Sequence, residues 1–432
     1  MAGHAQRMGL VEAISIGIGG MVGGGIFAVL GVAATSARGA TPIAFAIGGL
    51  IAALTASSYS RLSVRYPGGG GTVTILDRTF GRAAITGGVN VVLWAGYVAT
   101  TALYATAFAN YVAALFTGGA PGPVAFRLLV AAGIGVPWLI NLAEASLVAR
   151  TEGLVVAVKL AILVAVVIAG AAGVDASRLA PTAWPAFGDV LASAMLVFVA
   201  YEGFELIANA AEDIARPRRN LPLAFGLAVG IVIVLYVAIA TVVVGTMSAS
   251  AIAGAADFAL AEAANGALGR LGFTLVALSA VLATFSAINA TLYGTARLSW
   301  SIAAEGELPR AIERRAWNQP IGLHITAAAS LLLGISLGLT AISAICSAIF
   351  LVVFGMVNLA GAREPGPVPA RLASAAGALG CAISLVVLLT STAGRDPVAV
   401  IGLVALLVIA IAGERWWLRP RRPRARPTGP AG

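Results

Sequence analysis

The sequence predicts an all-α polytopic membrane protein with about twelve transmembrane helices. Three observations carry that expectation. The 432 residues are 59% hydrophobic and only 10% charged, against roughly 25% charged in a soluble domain. A water-soluble globule of this size could not hide so much apolar surface, so the surplus faces lipid. The apolar runs are about twenty residues or longer, the length of a membrane helix and not of the ten-residue alternating strands of a barrel. The arginines fall in the short gaps between the runs, as in the loops of membrane proteins.

The runs lie near residues 10–35, 40–64, 84–116, 123–143, 151–173, 188–211, 221–246, 268–300, 321–339, 341–361, 371–391 and 397–418. The first is longer than the apolar core of a signal peptide and is read as a retained helix. The gap at Thr340–Ala341 is the weakest division. With the N-terminus inside, 21 arginines fall in cytoplasmic segments and 5 outside. The positive-inside rule then places both termini in the cytoplasm of a multi-pass protein of the cell membrane. The chain reads as one membrane domain, residues 1–432, ending in a disordered basic cytoplasmic tail over 419–432, read first as a positive topology anchor and second as a segment near anionic headgroups. Trp416 and Trp417 fit an interfacial belt at the end of the last helix.

Several function classes drop out. The net charge of +9 is spread over loops and forms no nucleic-acid face. Cys346 and Cys381 lie in separate apolar runs without ligand spacing, and His4 and His324 have no metal-binding company. No HExxH, no GxSxG with a histidine partner and no P-loop is present. The expectation is therefore neither an enzyme nor an ATP-driven pump, with no cofactor and no metal.

The most informative stretch is Gly17-Ile18-Gly19-Gly20-Met21-Val22-Gly23-Gly24-Gly25-Ile26-Phe27. Each glycine costs a helix about 1 kcal/mol against alanine, yet the stretch sits at mid-membrane depth. Irregular backbone there is tolerated where it lines a cavity or meets a ligand. Unwinding exposes amides and the positive end of a half-helix, which suit a carboxylate. The competing reading is a small-residue seam built on Gly19 and Gly23. A second break falls at Phe198-Val199-Ala200-Tyr201-Glu202-Gly203-Phe204-Glu205, where two carboxylates must face protein or water. Paired glycine breaks five helices apart point to an inverted-repeat transporter with its site at the midplane.

These stretches, with Ala211-Glu212-Asp213-Ile214-Ala215-Arg216-Pro217, Tyr66-Pro67-Gly68-Gly69-Gly70-Gly71 and Asn289-Ala290-Thr291-Leu292-Tyr293-Gly294, resemble the amino acid–polyamine–organocation superfamily over residues 8–360. The resemblance implies a five-plus-five inverted-repeat fold of leucine-transporter type. Its repeats would be 8–173 and 188–361, with two further helices over 371–418. It also implies substrate binding by Gly23, Gly24, Gly25, Ile26, Phe198, Tyr201 and Glu202, with the carboxylate on the glycine amides and Phe198 as an aromatic gate. Family members often carry an apolar residue at the place of Glu202. That carboxylate either faces the cavity and favours a basic substrate or pairs with a polar group on the cytosolic side.

Lys159 is the sole lysine among 27 basic side chains, and it sits within the apolar fifth run. Such a group faces the interior and pairs with carbonyls or hydroxyls, and lysine, unlike arginine, can release its proton. The plainer reading is a snorkelling or structural cation. The resemblance implies a coupling site in which the ammonium replaces a sodium ion and contacts the carbonyls of Gly19 and Val22 and the Ser286 hydroxyl. Glu205 is either structural or a proton carrier. Tyr97, Tyr104 and Asn110 could line a cavity but are read first as satisfied within the bundle, as are Ser279, Thr284 and Asn289. Glu144, Arg150 and Glu152 form at most a weak surface cluster, and Pro222 is expected in the first turn of the seventh helix. Together these readings predict a proton-coupled amino acid symporter, with an ion-independent exchanger and a membrane sensor as alternatives, and no commitment on oligomeric state.

Overall fold

A computed structural model describes residues 7–68, 70–81, 84–142, 152–304, 308, 312, 314–317 and 319–394. The predicted twelfth run, the basic tail, Glu144 and Arg150 lie outside these residues.

The first run is two helices, α1 (Leu10–Met21) and α2 (Gly25–Ala37), separated at Val22–Gly24. Next come α3 (Thr41–Arg65), α4 (Gly71–Phe80), α5 (Ala84–Thr117), α6 (Pro123–Leu142) and α7 (Glu152–Ala171). A four-residue α8 (Ala176–Leu179) precedes α9 (Phe187–Val197), a 3-10 turn over Phe198–Tyr201 and the short α10 (Leu206–Asn209). The chain continues through α11 (Pro217–Thr246), α12 (Ala249–Gly254), α13 (Ala259–Ala304), α14 (Ile321–Ser336), α15 (Leu339–Arg363) and α16 (Val368–Ala393). Two-residue strands β1 (Arg315–Ala316) and β2 (Gln319–Pro320) form a small antiparallel hairpin before α14.

Helix therefore covers the first eleven apolar runs. Among the described residues, eight helical stretches are long and apolar enough to cross a bilayer, and three shorter apolar helices accompany them. Two boundaries differ from expectation. The helix predicted from residue 221 begins at Pro217, so Pro222 lies inside it. Helix α13 begins at Ala259 and breaks at Gly269, whose φ is +64°, so a segment before residue 268 that lacks an apolar run is also helical.

Burial sorts the helices into centre and periphery. The α9–α10 span is 89% buried and the α6 span only 22%, so the second broken helix is central and α6 faces outward. Exposed Val124, Leu128, Ile168, Val234, Leu332 and Leu379 form the lipid-facing surface. Buried polar bonds fix neighbouring helices. Ser58 Oγ donates to Asn358 Oδ1 at 2.7 Å, and Asn358 Nδ2 donates to Thr55 Oγ1 at 2.8 Å, joining α3 to α15. His324 in α14 accepts from Trp138 Nε1 of α6 at 3.1 Å, and its Nε2 lies 3.1 Å from the Ala316 carbonyl of β1.

The two broken helices meet backbone to backbone. A Cβ at Gly20 would lie 2.6 Å from the Gly203 carbonyl oxygen, and one at Gly203 would lie 2.4 Å from the Gly20 carbonyl carbon. Gly203 also has φ +115°, which a side chain would strain. A second tie joins the adjoining segments: Met8 N–H donates to Asp213 O at 2.9 Å and Ala215 N–H donates to Met8 O at 2.8 Å.

The close approach at Gly203 has a consequence for stability. Gly203→Ala combines a left-handed backbone with a backbone clash and should cost about 2 kcal/mol or more. Gly226→Ala, where a Cβ would meet nothing within 4 Å, is the control. Heating the purified proteins and following the monodisperse fraction should show early loss for Gly203→Ala alone.

Candidate functional site

Helix α1 stops in the interior of the protein, so the carbonyls of its last turn, from Gly19 to Met21, need donors other than the usual helical amides. Ile18 O keeps its helical bond from Val22 N–H at 2.8 Å, and Gly20 O accepts from Gly23 N–H at 3.2 Å. Tyr236 Oη of α11 donates to Met21 O at 2.8 Å. Lys159 Nζ of α7 donates to Gly19 O at 3.3 Å. The lysine is 5% exposed, and the negative end of a half-helix favours a cation there.

The second break is satisfied by side chains. Ser347 Oγ of α15 accepts from Val199 N–H at 3.2 Å and donates to Leu196 O at 3.2 Å. The Glu205 carboxylate accepts from Gly203 N–H at 2.8 Å and from Tyr97 Oη at 3.1 Å. Glu202 accepts from Thr100 Oγ1 at 2.9 Å. Tyr97 and Thr100 are one turn apart on α5, so a single helix face supplies hydroxyls to both carboxylates.

Between the breaks lies a cavity of about 110 Å³ whose lining includes Gly19, Gly20, Lys159, Glu202, Gly203 and Ser286. Tyr97, Tyr104 and Asn209 also border it. Gly70, Asn209, Gly294 and Leu298 are shared with a wider vestibule of about 800 Å³, bounded further out by Arg297 and Arg315. The cavity thus communicates with the arginine-bearing face. On the other side the break is closed by packing. A Cβ at Gly24 would lie 2.4 Å from the Tyr104 ring, one at Gly25 2.7 Å from Ala200 Cα, and one at Gly23 3.0 Å from Ala287 Cβ. Ile26 and Val22 are fully buried, Phe198 packs edge-on against Phe354 with ring centres 6.0 Å apart, and Tyr201 Oη donates to Phe45 O at 2.8 Å.

Of the residues singled out from sequence, Gly19, Lys159, Glu202 and Ser286 therefore line one cavity, and Glu205 lies beneath it in hydrogen bonds. Gly23, Gly24, Gly25, Ile26, Phe198 and Tyr201 form its closed side. Of the two readings of Tyr97 and Tyr104, the less favoured one holds: both border the cavity. Asn110 is buried, as are Ser279, Thr284 and Asn289, the last accepting from Asn141 Nδ2 at 2.8 Å. Among the described residues no cluster of metal-ligating side chains occurs.

The family model for amino acid permeases matches residues 8–395. The chain belongs to the amino acid permease family. An uncharacterized protein of Methanocaldococcus jannaschii is 34% identical over 360 residues, covering 82% of each chain. The inner membrane transport protein YbaT of Escherichia coli is 32% identical over 359 residues, 83% of this chain and 84% of that one. A crystal structure of the Eremococcus coleocola manganese transporter superposes with a TM-score of 0.62 at 12% identity, over 94% of both chains. At that identity the likeness establishes the fold alone, a fold shared with transporters. This permease is a multi-pass membrane transporter of a small-molecule substrate, not an enzyme.

Three parts of the permease site lacked a sequence signal: Thr100 as the donor to Glu202, Asn209 at the mouth, and Tyr104 on Gly24. Each depends on how α5 and α10 rotate against the breaks. Only the i, i+3 spacing of Tyr97 and Thr100 hinted at a shared face.

The open side should be chemically accessible. Gly294 is exposed, and a Cβ there would meet no atom within 4 Å, so Gly294→Cys should fold normally. Native Cys346 and Cys381 are buried and give little background. A water-soluble thiol reagent should label Gly294→Cys within minutes and leave the parent protein unlabelled.

Proposed function

We propose that this permease imports amino acids by alternating access, coupled to protons through Lys159. The observation that carries the reading is the Lys159 ammonium on the Gly19 carbonyl, at the broken end of α1 and on the wall of the cavity. Protonated, the lysine ties α7 to α1 through a charge-assisted bond. Deprotonated, it donates a weaker bond, and the tie loosens. Arginine would hold the contact but could not release the proton. Sodium is not required, because the ammonium takes the place of the coupling ion.

The substrate carboxylate belongs on the free amides that begin α2, at Gly24, Gly25 and Ile26, where the helix dipole is positive. The present closure of Gly24 by Tyr104 and Gly25 by Ala200 fits a conformation open to the arginine face with that subsite shut. Phe198 serves as the aromatic gate on the closed side. Glu202, on the cavity wall, favours an ammonium-bearing substrate. The arginine distribution makes the open face cytoplasmic, with both termini inside the cell membrane. The proposed architecture is twelve helices, with two five-helix inverted repeats paired through the breaks in α1–α2 and α9–α10.

The reading is tested in proteoliposomes. Wild-type protein should accumulate labelled amino acids on an inward proton gradient. Lys159→Ala and Lys159→Arg should lose at least about 90% of that accumulation while retaining exchange against internal substrate, which shows that they fold. Gradient-driven accumulation by either variant at the wild-type level contradicts proton coupling through this group. Wild-type uptake that requires internal amino acid and ignores the gradient makes the protein an exchanger and leaves Lys159 a structural cation.

A further inference from the structure

A second recess lies away from the transport cavity, on the membrane surface between α3 and α11. It is a groove of about 480 Å³. It runs from Arg61 to Ala53 on α3 and from Arg218 to Gly230 on α11. At a rise of 1.5 Å per residue, the α11 wall is about 18 Å long. That is slightly more than one leaflet of a hydrocarbon core roughly 30 Å thick.

Two glycines keep the groove open. Gly226 and Gly230 are exposed, and a Cβ at either would meet nothing within 4 Å. Neither close packing nor a left-handed backbone calls for glycine there, although glycine weakens a helix relative to alanine. Their missing side chains give the groove its depth.

The two ends differ in charge. Arg218, exposed, and Arg61 stand at one end, and the other end is apolar. Arg61 Nη2 is held by the Gly361 carbonyl at 2.5 Å and Ser374 Oγ at 3.0 Å, which fixes the guanidinium in place. Its Nη1 is buried beside Gly366, which does not line the groove, so Arg61 contributes charge and Arg218 the accessible donors. Nearby Glu364 is engaged by Arg65 Nε at 3.0 Å. The end is thus positive, with Glu364 shared between Arg65 and Arg61, and it stands at the helix ends, Arg61 about one turn before the end of α3 and Arg218 in the first turn of α11.

We propose that this groove binds an anionic phospholipid, one acyl chain lying along Gly226 and Gly230 and the phosphate held by exposed Arg218, with the charge of Arg61 behind it. Basic recesses between membrane helices recognise such headgroups, and a groove one leaflet deep suits an acyl chain. The position matters for transport because both walls reach the breaks. The α3 wall belongs to the helix whose Phe45 carbonyl holds Tyr201, and the α11 wall to the helix whose Tyr236 holds the end of α1. A bound lipid would brace α3 against α11 and so steady both breaks. This inference is independent of proton coupling.

Native mass spectrometry of the purified full-length protein tests it, with phosphatidylglycerol and phosphatidylcholine of identical chains as probes. Wild type should retain one phosphatidylglycerol in preference to phosphatidylcholine. Arg218→Gln should lower that retention about fivefold, the effect of one basic side chain at a lipid surface. Gly230→Leu, which fills the groove, should abolish it, and Gly226→Leu is the second filling variant should the first fail to purify as a single species. Millimolar inorganic phosphate should leave the lipid in place. Equal retention of the two lipids by wild type, unchanged phosphatidylglycerol retention in the arginine or filling variants, or displacement by phosphate alone overturns the proposal.

Discussion

The end of α1 sets the terms for the rest of the structure. A helix that stops inside a membrane protein leaves carbonyls that must find donors from the protein itself. Here the donors beyond the helix itself are a backbone amide of the break, a tyrosine from α11 and a lysine from α7. In the proposed mechanism the lysine is the donor whose charge changes, which makes the join between α7 and α1 the adjustable one. Losing a donor to a buried carbonyl costs about 1–3 kcal/mol, enough to shift a balanced two-state equilibrium about 5- to 150-fold.

The glycine contact between the breaks complements this arrangement. Gly20 and Gly203 touch without side chains, so the broken helices meet through a thin backbone contact. Around it the polar partners come mainly from α5 and α15: Tyr97 and Thr100 on one side and Ser347 on the other. Closed packing on one side and an open vestibule on the other make the asymmetry that alternating access requires. The side that is shut carries the free amides of α2, and the open side carries the lysine and Glu202.

Much of this was legible in the sequence because the signals were local. Six glycines between Gly17 and Gly25 announce a break wherever the helix packs. A single lysine in an apolar run must turn inward, and the C-terminal carbonyls of a broken helix are natural acceptors. The apolar runs gave the long helices through α16 with boundaries close to those observed, missing the short α4, α8 and α12 and the helical starts at Pro217 and before Gly269. Those failures have a cause: neither helical start depends on hydropathy. The side-chain partners were less legible. Tyr104 on Gly24 and Thr100 on Glu202 join residues far apart in the chain, and their register follows from tertiary packing. For Tyr97 and Tyr104 the sequence left bundle packing and cavity lining both open, and only the placement of α5 against both breaks decides for the cavity.

In the proposed mechanism, protonation of Lys159 controls the join between α7 and the inner half of the first broken helix. Spin labels at exposed Val11 and Val158 would report that join directly. Distance distributions should be measured in lipid nanodiscs across a range from acidic to alkaline pH, for the otherwise wild-type protein and for Lys159→Arg. The account predicts a short, narrow distribution at acidic pH that lengthens and broadens at alkaline pH, with no pH response in the arginine variant. A distribution that ignores pH in the lysine protein, or that responds equally in the arginine variant, would contradict it.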